Sequence, residues 1–192
     1  MSAVTREREI EVVLRTPRLT LAPLQPQYAA PIFELLNDWE VVRMLSEVPW
    51  PLRYEDVADF LAKQPDPSTD GFIVLGEDGP IGEAVIKKPG FGEPPRKMPR
   101  LGYFIFRKYW RAGYGTEAIG ALVDYAFQTY PAERIGAGVF HDNAASRRLL
   151  EKLGFEAMGP GSSDSRSRGC AVVTVDMQLT RTKWAASLAA RR

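Results

Sequence analysis

The chain has 192 residues, which is enough for about one domain with a hydrophobic core that needs no disulfide or metal to stabilise it. Its 25 basic and 24 acidic residues nearly cancel, so no overall field attracts nucleic acid, and its one cysteine excludes an internal disulfide. No apolar run is long enough to cross a membrane, and the charged segment Met1 to Glu11 does not resemble a signal peptide. We therefore expect one domain over residues 1–192, in the cytoplasm, with neither nucleic-acid nor membrane partners.

Hydrophobic periodicity predicts the elements of the first half of the chain. Leu19 and Leu21 alternate with polar neighbours and indicate a first strand. Apolar residues at helical spacing then predict helices over residues 28–37, 40–45 and 54–63. Two strands, over residues 72–75 and 80–86, flank the hairpin signal Asp78-Gly79. Four prolines between residues 88 and 99 predict a loop, because proline cannot donate a ladder hydrogen bond.

The second half of the chain predicts strands alternating with helices. The expected elements are a strand over residues 101–106, a helix over 116–129, a strand over 135–139, a helix after residue 143 and a strand over 171–179. The first two of these strands should be parallel, because a helix connects them. Serines and charged residues between Gly159 and Gly169 predict a mobile hairpin tip, and Cys170 opens the last strand as a small apolar residue. The order indicates a mixed α/β fold that is not doubly wound.

The segment Trp110-Arg111-Ala112-Gly113-Tyr114-Gly115-Thr116-Glu117 carries the first functional signal. Small residues stand where a loop becomes a helix, so the N–H groups of the first turn can approach a phosphate without side chains in the way. The pattern predicts a pyrophosphate site. A tight strand-to-helix turn without a ligand would give the same pattern.

A second signal follows about thirty residues later, in Asn143-Ala144-Ala145-Ser146 and Leu149-Leu150-Glu151-Lys152-Leu153-Gly154-Phe155. Asn143 stands at the start of a helix, where it would cap the helix even without a ligand, and Gly154 with Phe155 is typical of a helix end. Together the two segments resemble the GCN5-related N-acetyltransferase (GNAT) superfamily. Trp110, in place of the usual Gln or Arg, and the opening strand around Arg15 and Leu19 resemble its ribosomal-protein N-terminal acetyltransferase branch.

The resemblance covers residues 14–184 and implies a fold and an activity. The fold is a mixed α/β arrangement with a mostly antiparallel central sheet of about seven strands and flanking helices. The activity is direct transfer of an acetyl group from acetyl-CoA, without a metal, to the primary amine of a peptide N-terminus or a small molecule. We expect a monomer or a homodimer.

The resemblance also implies which residues bind the co-substrate. Main-chain groups at the end of a strand would bind the pantetheine arm, the glycine turn would bind the pyrophosphate, nearby cations would add charge, and an asparagine would bind the pantetheine or phosphate region. In that order these residues are Ile105 and Phe106; Ala112, Gly113, Tyr114, Gly115 and Thr116; Arg107 and Arg111; and Asn143.

The catalytic groups are less determined by the pattern. By family position Ser146 would protonate the leaving sulfur, and Tyr103 is the competing hydroxyl. Arg100 stands where members of the branch often carry an acid. Glu83, expected on one strand face with Ile81 and Val85, is the preferred base because burial would raise its pKa. His141, the only histidine, is one alternative. The other is that no base is needed, because an α-amino group with a pKa near 8 is partly neutral at the pH of a cell.

Two other interpretations compete with an acetyltransferase. Gly113-x-Gly115-x-x-Ala118 fits a dinucleotide-binding pattern superficially, but residues 107–112 separate it from its strand, and that fold does not explain the second segment. A non-catalytic acyl-CoA-binding or sensor module would keep the co-substrate site and lack the chemistry. Arg100 in place of an acid gives this second interpretation its weight.

Overall fold

The computed structural model describes residues 12–190 and contains, in that range, one eight-stranded sheet and six α-helices. The strands are β1 (Leu14–Arg15), β2 (Thr20–Pro23), β3 (Thr69–Gly76), β4 (Gly79–Lys87), β5 (Arg100–Ile105), β6 (Arg134–Phe140), β7 (Glu156–Ser165) and β8 (Cys170–Thr180). The helices are α1 (Ala29–Leu36), α2 (Trp39–Val42), α3 (Tyr54–Ala62), α4 (Tyr114–Thr129), α5 (Ala144–Leu153) and α6 (Arg181–Ala189). This is the expected mixed α/β architecture, with one strand more than predicted.

The sheet has the order β1-β2-β3-β4-β5-β6-β8-β7, and its strands pair antiparallel except for β5 with β6. The predicted parallel crossover is therefore confirmed. This pair is short, because only Arg100 with Gly136 and Leu101 with Ala137 are in register. Beyond these two pairs β5 and β6 separate, and a gap opens in the middle of the sheet.

Two hydrophobic clusters cover the two faces of the sheet. One packs α4, α5 and α6 on residues such as Ala84, Leu101 and Met177, and we call this side the α4 face. The other packs α1, α2 and α3 on residues such as Ile73 and Phe104, and we call this side the α1 face. Because side chains alternate along a strand, Tyr103 faces α4 and Phe104 faces α1.

Local sequence signals fix the helices that reach the gap. Helix α4 buries apolar residues along one side, as its periodicity predicts, and begins two residues earlier than expected. Helix α5 is capped by Asn143, whose side chain accepts a hydrogen bond from the Ser146 N–H. It ends at Gly154, where φ is 96°, and the N–H of Phe155 bonds to the Leu150 carbonyl.

The structure corrects two expectations and adds a helix. Residues 159–165 belong to β7 and not to a mobile tip, and the remaining turn at Arg166 is hydrogen-bonded to the Ser46 carbonyl. Helix α6 was not predicted, although Thr180 is an ordinary N-cap that accepts from the Lys183 N–H. Cys170 is exposed and does not serve as a small buried residue.

Within residues 12–190 no helix is long and apolar enough to cross a membrane. The cytoplasmic location, the single domain and the oligomeric state stay predictions.

Gly82 holds β5 against β4, and its replacement should damage the fold. A Cβ built there would lie 2.2 Å from the Phe104 carbonyl oxygen and 3.0 Å from the Ile105 Cα, both main-chain atoms of β5. We expect Gly82→Ala to lower the free energy of unfolding by about 1–3 kcal/mol. Gly120→Ala in α4 meets only Leu153 Cδ2 at 3.9 Å and should raise it by about 0.5–1 kcal/mol. Urea denaturation measures both, and equal effects of the two variants would contradict this assignment.

Candidate active site

The gap between β5 and β6 forms the centre of a groove of about 1070 Å³. Its walls come from both faces of the sheet. On the α4 face they include the first turns of α4 and α5, and on the α1 face they include Arg100, Phe104 and Asp176. The groove therefore passes through the sheet, and two reactants can enter it from opposite sides.

The first turn of α4 offers main-chain donors to this groove. Its N-cap is Gly113, with φ of 82°, and no side chain in the described residues caps the turn. Arg111 also has a positive φ, of 64°, so the backbone turns sharply before the helix begins. Gly113, Gly115 and Thr116 line the groove. This is the arrangement that a pyrophosphate needs, because the N–H groups and the helix dipole both favour negative charge.

Gly115 also has a packing role, since a Cβ there would lie 2.7 Å from Leu149 Cδ1 of α5. The packing of α4 on α5 therefore requires a glycine here even without a ligand. The close contact of α4 and α5 brings their two N-termini to the same groove.

Thr16 and Arg18, which are distant in sequence, fix the loop before α4. Glu117, in the first turn, accepts hydrogen bonds from the Thr16 hydroxyl at 2.6 Å and from the Arg18 N–H at 2.9 Å. The Arg18 guanidinium also pairs with Glu117 at 2.7 Å, donates to the Ala112 carbonyl at 3.0 Å and lies 4.5 Å from the Tyr114 ring centre. Burial opposes ionisation of Glu117, but the bonds from Thr16 and Arg18 and the Arg18 charge together lower its pKa. Sequence reasoning identified Arg18 only as part of an opening strand.

Two hydroxyl groups meet across the gap on the α4 face. The Tyr103 hydroxyl on β5 lies 2.9 Å from Ser146 Oγ on α5. Burial raises the pKa of Tyr103 to about 12, although the Ser146 hydrogen bond acts in the opposite direction, so the phenol keeps its proton at neutral pH. The two candidates for the proton donor therefore form one hydrogen-bonded pair.

The main chain of β5 presents further donors to the gap. Phe106 donates its N–H to Ile81 of β4, and backbone groups alternate in direction along a strand. The N–H groups of Tyr103 and Ile105 therefore point away from β4, toward the gap. The Ile105 carbonyl is already bound by the indole N–H of Trp110 at 2.6 Å, which explains the Trp at this position.

The α1 side of the groove carries an ion pair in place of the expected acid on β5. Arg100 Nη2 lies 2.7 Å from Asp176 Oδ1 on β8. Nearby, Asp142 is bound by Arg168 at 3.0 Å and by Arg43 at 3.5 Å. Sequence reasoning missed Asp176, because no local motif connects β8 with the start of β5.

Glu83 lies on the α1 face, directly between Ile73 of β3 and Phe104 of β5. Ile81 packs with the opposite cluster, because a register shift near Val74 and Leu75 adds one residue to β4. The expectation that Glu83 shares a face with Ile81 is therefore wrong. Burial, followed by the charge of Glu47, raises the pKa of Glu83 to about 8. Glu83 is not among the residues that line the groove, because Phe104 of β5 lies between the Glu83 carboxyl group and the groove.

Comparisons with known proteins agree with this geometry. Residues 18–156 match the family model described as the acetyltransferase (GNAT) domain. The chain belongs to the GNAT acetyltransferase family. The match confirms the resemblance found in the sequence, including its ribosomal-protein acetyltransferase branch.

Relatives of this GNAT chain include two proteins from Bacillus species. The uncharacterized N-acetyltransferase p20 of Bacillus licheniformis is 27% identical over 181 residues, which cover 90% of this chain and 98% of p20. The uncharacterized N-acetyltransferase YoaA of Bacillus subtilis (strain 168) is 48% identical over 63 residues, 33% of this chain. The matched segment spans only 36% of the length of YoaA.

Among solved structures, Mycobacterium smegmatis RimJ in complex with CoA-disulfide is similar, with a TM-score of 0.71 and 17% identity. The similarity covers 90% of this chain and 88% of RimJ. At this identity it shows a shared fold.

The GNAT groove collects most, but not all, of the predicted site residues. Those that line it are Tyr103, Ile105, Arg111, Gly113, Tyr114, Gly115, Thr116, Asn143 and Ser146. Phe106 and Arg107 line a separate depression, where Arg107 lies 3.8 Å from Asp38, and they are not among the residues that line the groove. Ala112 contributes to the loop through its carbonyl bond to Arg18. His141 is exposed, and its Nδ1 lies 3.3 Å from the Val173 carbonyl oxygen.

Proposed function

We propose that this GNAT protein transfers the acetyl group of acetyl-CoA directly to a primary amine, on a peptide N-terminus or a small molecule. One observation carries the proposal. The gap in the sheet brings together a helix N-terminus without a side-chain cap, free N–H groups of β5 and the Tyr103–Ser146 pair. Acetyl-CoA supplies the acetyl group as a thioester, and no metal is required.

The α4 side of the groove fits the co-substrate. The first turn of α4 would bind the pyrophosphate, and Arg111, at the groove, would add positive charge. Asn143 uses its side-chain oxygen to cap α5, so its amide nitrogen remains to donate to the pantetheine arm. The N–H groups of Tyr103 and Ile105 would polarise the acyl oxygen in the gap.

Proton transfer would use groups on both faces. The Ser146 hydroxyl would protonate the leaving sulfur, and the Tyr103 hydroxyl, 2.9 Å from Ser146 Oγ, would then supply a proton to that oxygen as it loses its own. Glu83 would accept a proton from the acceptor amine on the α1 face. Because Phe104 separates the Glu83 carboxyl from the groove, this step would need a water molecule to relay the proton.

A charge placed in the proposed pyrophosphate site should weaken co-substrate binding without harming the fold. Thr116 lies in the first turn of α4 at the groove. The carboxylate of Thr116→Asp interacts favourably with the helix N-terminus, so the melting temperature should not change. The same carboxylate repels phosphate, so we expect the dissociation constant of acetyl-CoA to rise roughly 10- to 100-fold. Thr116→Asn, with the same shape and no charge, is the matched control. Calorimetry showing equal affinity for both variants would place the phosphates elsewhere.

Removal of the proton donor should affect turnover more than binding. We expect Ser146→Ala to lower kcat by about 10²–10⁴-fold with little change in acetyl-CoA affinity, because general acid catalysis acts on the transition state. The cap of α5 survives, since Asn143 accepts from the main-chain N–H of Ser146. Tyr103→Phe should have a smaller effect. Normal turnover of Ser146→Ala with impaired Tyr103→Phe would transfer the role to the tyrosine, and unchanged turnover in both would exclude the pair. A non-catalytic acyl-CoA-binding module would show no turnover in the wild type.

Glu83 should give the reaction a pH dependence of defined sign. With a pKa of about 8 the carboxyl group is mostly protonated at pH 7, so a base at this position becomes active as the pH rises, and kcat/KM should increase and level off above pH 8. Glu83→Gln should remove this limb and leave acetyl-CoA affinity unchanged. Glu47→Gln should shift the limb to lower pH, because the Glu47 charge raises the Glu83 pKa. An unchanged profile in both variants would leave the acceptor to lose its proton to water or to His141.

A further inference from the structure

The part of the groove on the α1 face, which we call the acceptor mouth, has a composition that selects among amines. It lies opposite the proposed acetyl-CoA site. Its lining residues come from the α2 region, the ends of β4 to β6, and β8, and include Met44, Lys87, Arg100, Phe104, Phe140, Thr174 and Asp176.

The Arg100–Asp176 pair crosses the acceptor mouth over β6. Arg100 starts on β5 and reaches Asp176 on β8, which stands opposite Gly138. A Cβ at Gly138 would lie 3.1 Å from Arg100 Nη2, and one at Gly136 would lie 3.4 Å from Nη1. The two glycines of β6 therefore leave the space that the guanidinium occupies, and the ion pair is fitted to the backbone beneath it.

Asp176 keeps one carboxylate oxygen for a ligand. Arg100 binds Oδ1, and Oδ2 accepts no hydrogen bond from any residue in the described range 12–190. A Cβ at Gly161 would lie 3.2 Å from Oδ2, so this oxygen faces β7, and only the absence of a side chain at Gly161 leaves room for a ligand beside it. Asp142 differs, since Arg168 binds its Oδ1 at 3.2 Å and its Oδ2 at 3.0 Å. The Asp176 side chain is 42% exposed and lines the groove.

The acceptor mouth carries no excess of negative charge. Its charged lining residues are three acids and three bases, namely Glu40, Asp142, Asp176, Arg43, Lys87 and Arg100. A polycation gains nothing from such a balanced surface, because each additional ammonium group meets as much positive as negative charge. One ammonium group, in contrast, can bind the free oxygen of Asp176.

The β7–β8 turn limits the size of the acceptor. Its main-chain and side-chain donors bond to carbonyl groups of the α2 region, with Arg166 N–H to Ser46 at 2.9 Å and Arg168 Nε to Arg43 at 2.7 Å. Phe104 and Phe140 add aromatic walls. These two rings and Met44 form the apolar part of a lining that also contains Ser46 and Thr174, so the mouth offers room for a short apolar stem.

We infer that Asp176, held by Arg100, binds the ammonium group of the acceptor, and that the acceptor is a compact, singly charged primary amine on an apolar stem. This inference rests on the proposed function and names the substrate class of the same groove. A free small amine and a peptide N-terminus share this chemistry.

The test measures acetyl transfer from acetyl-CoA to three probes: 2-phenylethylamine, alanyl-phenylalanine amide and spermidine. We expect transfer to one or both of the first two probes and little transfer to spermidine. Reaction of 2-phenylethylamine would indicate a free small amine as acceptor, and reaction of the dipeptide amide would indicate a peptide N-terminus. Asp176→Asn keeps a hydrogen-bond acceptor for Arg100 and loses the charge. It should raise KM for the reactive amine about 10- to 100-fold while acetyl-CoA affinity stays unchanged. Glu156→Gln, which removes an ion pair with Lys183 away from the groove, is the matched control and should leave KM unchanged.

A charge-swapped variant separates binding from a structural role. Arg100→Asp combined with Asp176→Arg restores an ion pair and should restore the melting temperature, but it moves the carboxylate to β5 and should leave KM high. Recovery of normal KM in the swapped variant, or a normal KM in Asp176→Asn, would overturn the inference. So would acetyl-CoA binding with transfer to spermidine alone or to none of the probes. Absence of acetyl-CoA binding in the wild type would instead refute the proposed function.

Discussion

The separation of β5 from β6 is the constraint on which the rest of the structure depends. Two neighbouring parallel strands that pair through only two residues leave backbone donors unsatisfied in the centre of a sheet, where such donors are normally paired. The cost is tolerable only where a ligand or water completes the hydrogen bonds. The packing of α4 on α5 stabilises the arrangement, since Leu149 lies against Gly115 and brings the two helix N-termini to the same opening. A gap of this kind makes one groove accessible from both faces of the sheet.

The α4 side of the groove was largely predictable from sequence, because its signals are local. Gly113 has a positive φ that other residues avoid, and Asn143 is both a helix cap and a groove residue, so each leaves a mark in the nearby pattern. The phosphate role of Arg107 stays a prediction. Sequence proximity to the loop is its basis, and local patterns did not indicate that its side chain lies 3.8 Å from Asp38.

The long-range pairs were not predictable, because no local rule connects their members. Arg18 and Glu117 are 99 residues apart in sequence and fix the loop before α4, while Arg100 and Asp176 are 76 residues apart and cross the acceptor mouth. The register shift in β4 is another case. A single extra residue near Ile81 moves that side chain to the other face. Strict alternation along the strand therefore assigned Ile81 wrongly to the face of Glu83.

The position of Arg100 changes meaning once the fold is known. In sequence it stands where members of the branch often carry an acid, which gives some weight to the alternative of a non-catalytic acyl-CoA-binding module. In the structure the arginine holds a carboxylate that arrives from β8, so a carboxylate stands at the acceptor mouth together with its paired cation. Glu83, behind Phe104 on the same face, then has a separate task. Asp176, more exposed and paired, is suited to hold a cation, while Glu83, desolvated and with a pKa of about 8, is suited to exchange a proton with one. The two carboxyl groups are thus distinguished by their surroundings, and in the proposed mechanism Asp176 would bind the ammonium group while Glu83 would remove a proton.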